Sequence, residues 1–114
     1  MASINSSLTV YQGEYKEILV TVQNSANQAI DLTNVRLIKW ALSETEQSAV
    51  LLQKSFPASG ITHGGSNGIY TIVLSGVDTE SLTPGVYYHE AQYDLGGKTV
   101  TSIVGSIRIR PTII

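Results

Sequence analysis

Through most of the chain apolar side chains return at every second residue, and glycine, asparagine, aspartate, serine or proline interrupts them at intervals of roughly eight to twelve residues. A period of two sends successive side chains to opposite faces of an extended segment. The chain is therefore read as short, half-buried strands joined by turns, with almost no segment of helical period. "SLTVYQ" is a first strand. "YKEILVTVQ" is a second, with Ile18, Val20 and Val22 opposite Leu19 and Thr21. "VRLIKWALSE" sets Ile38, Trp40 and Leu42 against Leu37, Lys39 and Ala41, and "AVLLQKSF" is its hairpin partner. A short "GITH" segment precedes "GIYTIVLS", where Tyr70, Ile72 and Leu74 share a side. "VDTESLTPG" reads as a connection holding one helical turn, capped by Asp78 and stopped by Pro84-Gly85.

With 114 residues, the chain matches the roughly 100 residues of a two-sheet sandwich. The expected fold is all-β, an antiparallel β-sandwich of about seven to nine strands, with one domain over residues 1–110 and a short tail over 111–114. The last two strands meet at Gly96-Gly97. A tight two-residue loop there faces Tyr87, His89 and Tyr93 with Ser106, Val104 and Val100, which leaves the isoleucines on the polar side. A longer loop with a bulge at a glycine pairs Tyr87 with Gly105 and His89 with Ile103. It gathers Tyr87, Ala91, Tyr93, Ile103, Ile107 and Ile109 on one face, and is the register expected.

A net charge of −2 and a pI near 5.5 provide no basic face, so nucleic acid is not an expected partner. Without cysteine there is no disulfide framework, thiolate metal site or thiol nucleophile. No apolar run reaches membrane-spanning length, and "MASINSSLTVYQGE" lacks the basic start and apolar stretch of a secretory signal, so neither a membrane nor export by a signal peptide is expected. The sequon at Asn5-Ser6-Ser7 is accordingly expected to be unused.

"THGGSNGIYTI" contains a G-x-S-x-G pattern at Gly64 to Gly68, the form of a hydrolase nucleophile elbow, with His63-Gly64-Gly65 resembling an oxyanion loop. An elbow needs a helix after the serine, whose N-terminus serves the oxyanion. Here an alternating strand follows, and Asn67-Gly68 suits a turn with both central residues at positive φ. Ser66 is read as an exposed turn serine and His63 as a polar strand-end residue. His63 and His89 sit in no H-x-H or H-x-x-x-H pattern, and the carboxylates are scattered over loops and strand ends. No metal, cofactor or enzymatic activity is expected. His89 is read as a half-buried sheet residue whose ring nitrogen meets backbone or water.

Six tyrosines and Trp40 raise the possibility of sugar stacking, yet Trp40, Tyr70 and Tyr87 fall on apolar strand faces where a sandwich needs bulky fill. Tyr88 points away from Tyr87 and is the best candidate for a contact aromatic. Arg108 and Arg110 alternate with Ile107 and Ile109, which leaves their charge on the outward face, either guarding a sheet edge or meeting acidic groups on a neighbouring subunit. Ile113 and Ile114 end the chain with apolar side chains suited to docking on a neighbour. Tyr88, Arg108, Arg110, Ile113 and Ile114 are the candidate interface residues.

Four stretches, "VYQGEYKEILVTV", "AIDLTNVRLIKWAL", "GIYTIVLSGVDTESLTPGVYYHEAQY" and "TVTSIVGSIRIRP", resemble the immunoglobulin-like β-sandwich domains of tailed-bacteriophage virion proteins, including the N-terminal domains of baseplate upper proteins. Gly68, Ile72, Leu74, Asp78-Thr79, Leu82, Pro84-Gly85 and Tyr87 carry the strand, connection and Pro-Gly-x-Tyr rhythm of that family, while Asn34 stands where related sequences commonly have glycine. The resemblance implies a non-catalytic structural protein of the virion, at the baseplate, tail or neck or as capsid decoration. Other virion proteins would be its partners and several copies, including a homo-oligomer, would be present. A carbohydrate-binding or host-adhesion module is the alternative reading.

Overall fold

The computed structural model describes residues 4–113, with side chains from residue 7 onward. Among these residues eight strands follow one another: β1 (Ile4–Tyr11), β2 (Lys16–Thr21), β3 (Leu37–Ser43), β4 (Val50–Phe56), β5 (Ile61–His63), β6 (Ile69–Leu74), β7 (Gly85–Leu95) and β8 (Lys98–Arg110). One helical turn, α1 (Gly76–Glu80), lies between β6 and β7. The strands form a five-stranded sheet in the order β1-β8-β7-β3-β4 and a three-stranded sheet in the order β2-β6-β5.

Alternation decides which side of each sheet is buried. Ile18 and Val20 from β2, Ile38, Trp40 and Leu42 from β3, Tyr70, Ile72 and Leu74 from β6, and Ile107 and Ile109 from β8 enter one core cluster shared by the two sheets. Leu19, between two of these residues, is 63 % exposed. Each fully buried large apolar side chain contributes roughly 1.5–3 kcal/mol relative to exposure, so this shared layer is the main favourable term. Trp40 and His89 sit inside it as a polar pair. The indole Nε1 donates to His89 Nδ1 at 3.0 Å, which makes the imidazole the neutral tautomer protonated on Nε2. His89 is completely buried, not half-buried, and Trp40, not backbone or water, occupies its Nδ1.

The expected antiparallel arrangement fails at one place: β1 runs parallel to β8, with Leu8 opposite Ile107 and Val10 opposite Ile109. The chain changes sheets between β1 and β2 at a corner where Gly13 takes φ 80°. β1 is thus released from a hairpin with β2, and its direction is set by the strand beside which Val10 can be buried. The β7–β8 register also differs from expectation. Gly96 and Gly97, at φ 63° and 79°, close a two-residue loop with Leu95 opposite Lys98, and Tyr87 pairs with Ile107 and His89 with Gly105. The extra residue is absorbed inside the strand, between Gln92↔Thr101 and Ala91↔Ile103, where Ser102 bulges. From Gly85 to Ala91 the observed register lies two residues from the expected one, which preserves faces, and between the bulge and the loop it follows the tight-loop pairing, with Tyr93 opposite Val100; Tyr87, Ala91, Tyr93, Ile103, Ile107 and Ile109 are all buried as expected.

The bulge places Ser102 in the core, where it is joined by Tyr70 from the opposite sheet through a hydrogen bond between their hydroxyls, while Ser102 Oγ donates to the Ala91 carbonyl at 3.3 Å. Burial pushes the Tyr70 hydroxyl up to about 12, against the hydrogen bond with Ser102, which lowers it, and with a small further rise from Tyr93.

Ser75, not Asp78, caps α1. Its hydroxyl accepts from Asp78 N–H at 3.3 Å while the Asp78 carboxylate accepts from Ser75 N–H at 2.8 Å, a reciprocal capping box that Asp78 closes from the third helical position. Asp78 also receives Lys54 Nζ from β4 at 2.7 Å, which fastens the inter-sheet connection to the edge of the larger sheet. Burial raises the Asp78 carboxyl, but the donors from Lys54 and Ser75 outweigh it and hold the group below its ordinary 3.8. A carboxyl depressed by folding contributes stability above its unfolded pKa and loses it as pH falls through the folded value. Wild-type protein should therefore lose this contribution on acidification below about pH 4. Asp78→Asn should be about 1 kcal/mol less stable at neutral pH and show a shallower fall in melting temperature over the acid range, measured by thermal unfolding against pH.

Candidate interaction surface

The outward face of the five-stranded sheet is a regular surface with no element of the fold packed across it. It is assembled by residues that alternate with the core set. Arg108 and Arg110 lie between buried Ile107 and Ile109, Val86 precedes buried Tyr87, and Tyr88 and Glu90 flank buried His89. Register sets them in rows. Thr9, Arg108 and Val86 form one, Ser7, Ser106, Tyr88, Ser43 and Val50 the next, and Val104, Glu90, Ala41 and Gln53 a third. Arg110 stands opposite Tyr11 beyond the first row.

Three of the candidate residues share this face: Tyr88, Arg108 and Arg110. The two arginines do not guard an edge, because β8 lies between β1 and β7; the edges of this sheet are β1 and β4. Edge pairing is therefore not what they prevent. Neither is in an ion pair among the described residues. Tyr88 is half-buried, and its hydroxyl donates to Glu90 Oε1 at 2.7 Å. Burial, the hydrogen bond to Glu90 and the charges of Glu90 and Glu46 push it up to about 12. Beside it lies a shallow depression of about 210 Å³, lined in part by Lys39, Ala41, Glu46, Ser48 and Val50.

Ile113 is fully exposed and lies elsewhere, at the corner where the chain passes from β1 to β2. There Tyr11, Gln12, Gly13, Glu14, Glu80 and the tail residues Pro111 and Thr112 line an open groove of about 940 Å³. Gln12 Nε2 donates to the Leu82 carbonyl at 2.8 Å and Thr79 Oγ1 to the Glu14 carbonyl at 3.2 Å, which ties this corner to α1. Ile114 lies outside the described residues.

Sequence reasoning missed Glu46, Val86, Val50 and Leu51 as surface contributors. Val86 is 57 % exposed, Val50 53 % and Leu51 49 %. Leu51 is the extra residue of a bulge, opposite the Leu42/Ser43 step, which breaks the alternation of β4. The sequence holds a signal for Val86, its alternation with Tyr87, but none for Glu46, whose place beside Tyr88 depends on the β3–β4 connection folding back over the sheet.

The G-x-S-x-G stretch is the β5–β6 connection. Gly65–Asn67 forms a 3₁₀ turn, and Gly65 and Gly68 take φ 70° and 72° while Asn67 does not enter the left-handed region. The turn is thus not the two-residue hairpin expected from Asn-Gly, and the side chain of Asn67 instead accepts from Ile69 N–H at 3.0 Å. Asn34 does not take up a left-handed conformation either; Asn27 does, at φ 61°. Ser66 is exposed, and His63 Nδ1 accepts from Gly65 N–H at 3.0 Å. Among the described residues no group of three or more histidine, aspartate or glutamate side chains is placed to hold a metal ion, and no helix is long and apolar enough to cross a membrane.

In comparisons with known proteins, no family model matches the chain and no curated protein matches it.

Proposed function

We propose that this protein is a non-catalytic structural domain of immunoglobulin-like topology, a building block of a tailed-phage virion that acts through protein–protein contacts. The observation that carries the topological half is the sheet order. β8-β7-β3-β4 opposite β2-β6-β5 corresponds to the G-F-C-C′ and B-E-D sheets of that fold, with β1 added alongside the last strand. The Tyr87 hydroxyl donates to the Thr83 carbonyl at the entry to β7, the position of the tyrosine corner in such sandwiches. The virion half rests on the family resemblance of the four sequence stretches. Its mechanism is rigid presentation: a sandwich holds its outer face, edges and tail in fixed geometry, so contacts form with little ordering cost.

Several placements favour this reading over chemistry or sugar binding. Trp40, Tyr70, Tyr87 and Tyr93 are spent on the core and Tyr88 is tied to Glu90. His63 is engaged by its own turn through Nδ1, the atom a serine base would need to have oriented toward a partner carboxylate. Mass spectrometry of purified particles of a phage encoding this chain, separated into heads and tails, tests the proposal. The protein is expected at structural copy number in one fraction. Its absence from both would overturn the virion role.

A further inference from the structure

The two sheets end in four edge strands, β1, β4, β2 and β5, and these are closed to different degrees. β5 has only three residues, while β4 is bulged at Leu51 and bonded at Ser55, which exchanges two hydrogen bonds with Ser59 at 2.8 Å each. One end of β1 is closed by Glu14, whose Oε1 accepts from Tyr11 N–H and whose N–H donates to the Tyr11 carbonyl, both at 3.0 Å. The exposed β1 side chains short of that end are Ser7 and Thr9. β2 has none of these devices. Gly64 N–H bonds the Ile69 carbonyl and Val73 N–H the Gly60 carbonyl, so alternate residues of β6 from Ile69 turn their main chain to β5, and Tyr70, Ile72 and Leu74 turn theirs to β2. Their partners Val20, Ile18 and Lys16 pair inward, which directs the N–H and C=O of Glu17, Leu19 and Thr21 away from the sheet. Among the described residues no hydrogen bond reaches these groups. After Thr21 the chain bends toward β6, with Val22 N–H on the Gly68 carbonyl and the Val22 carbonyl beside Gly68, and does not fold back over the edge.

We propose that this edge joins the β2 edge of a second copy, antiparallel about a two-fold axis at Leu19, so that two three-stranded sheets become one continuous sheet. A row of outward N–H and C=O groups is met by an extended backbone, and a second β2 offers such a row of its own. Pairing about the axis follows from residue order alone: Leu19 faces Leu19, and Glu17 of each copy faces Thr21 of the other. Each facing pair exchanges both main-chain bonds. The Leu19 side chains, 63 % exposed in one copy, cover each other beside Thr71 and Thr62 of the same uncharged row. Glu17 Oε2 accepts the Tyr15 hydroxyl at 2.7 Å, which leaves Oε1 for the Thr21 hydroxyl across the axis. Neighbouring registers match less well. An axis at Glu17 opposes two carboxylates, one at Ile18 sets Glu17 against Leu19, and axes at Val20 or Thr21 set Leu19 against Thr21 or Gln23. The contact is isologous and closes at two copies. A single strand edge buries well under the ~800 Å² per partner of a standard interface, so the dimer is weak, with a dissociation constant on the order of 100 μM. Dimerisation through β2 requires no virion, and solution mass and particle content therefore decide the two readings separately.

Sedimentation velocity of the full chain, over concentrations up to about 1 mM, tests it, with the wild type expected to pass from monomer to dimer around ~100 μM. Leu19→Lys opposes two ammonium groups at a side chain that contributes little to the core, and should weaken association at least tenfold while circular dichroism is unchanged. The chain has no cysteine, so a single introduced thiol reports the pairing directly. Facing Cα atoms about 5.5 Å apart are within disulfide reach, and Leu19→Cys should form a covalent dimer under mild oxidation at least tenfold faster than Thr62→Cys on the β5 edge. Amide hydrogen exchange of the wild type should slow with rising concentration at Glu17, Leu19 and Thr21 and not at Ser7 or Thr9. A wild type monomeric at about 1 mM, a dimer that Leu19→Lys leaves intact, equal cross-linking of the two cysteine variants, or protection at β1 in place of β2 would each overturn the proposal.

Discussion

Trp40→Ala is expected to destabilise the protein by about 4–5 kcal/mol and to leave it at or near the threshold of folding. Two effects combine. Trp40 is completely buried at the centre of β3, between β7 and β4, and its removal opens a large cavity that surrounding strands, fixed by ladders on both sides, cannot collapse into. The same change removes the donor to His89 Nδ1, and an orphaned buried acceptor adds about 1–3 kcal/mol. Trp40→Phe separates the two effects: it retains most of the volume and loses the N–H, and should cost about 2 kcal/mol. Urea unfolding followed by circular dichroism measures both. A Trp40→Ala loss below about 2 kcal/mol would show that the core is not organised around this pair.

Gly68→Ala should cost about 3 kcal/mol, while Ser66→Ala, two residues away, should change stability by no more than about 0.5 kcal/mol. Gly68 takes φ 72°, and a Cβ there would stand 2.8 Å from the Val22 carbonyl and 3.0 Å from that of Ile30. Both neighbours are backbone, held by the hydrogen bonds Val22 N–H to Gly68 O and Ile30 N–H to Val22 O at 2.7 and 2.9 Å. They cannot move aside without breaking the junction between the end of β2 and the start of β6. The strained φ contributes about 1 kcal/mol and the clash the rest. In the stretch that imitates a nucleophile elbow, the glycine thus matters and the serine does not. Equal effects of the two substitutions on the urea midpoint would contradict this division.

Strand identity and face were legible wherever the alternation was unbroken, as in β2, β3 and β6, because one residue's side is fixed by its neighbour's. Ile18, Trp40 and Ile72 needed no tertiary information. The β7–β8 hairpin shows the limit. Its core set was recovered with the wrong pairing, since beyond the bulge at Ser102 the expected and observed registers lie two residues apart and bury the same side chains. Likewise Asp78 was recognised as part of the helix start, but the cap lies three residues earlier, at Ser75, because the two side chains bond each other's N–H and either reads locally as a cap. Of the interface candidates, Tyr88, Arg108 and Arg110 were legible as outward-facing, yet the role of edge guards was misassigned because strand order is not written in local pattern.

By itself the sequence determined the strands, their buried faces and the punctuation between them, since these follow from the chemistry of each residue and its nearest neighbours along the chain. Tertiary structure alone decided that β1 lies parallel to β8, that His89 is completed by Trp40, and that Arg108 and Arg110 lie on a strand inside the sheet and not at its edge. Those facts join residues tens of positions apart. Their geometry is selected by closing the shared core, a condition no local stretch contains.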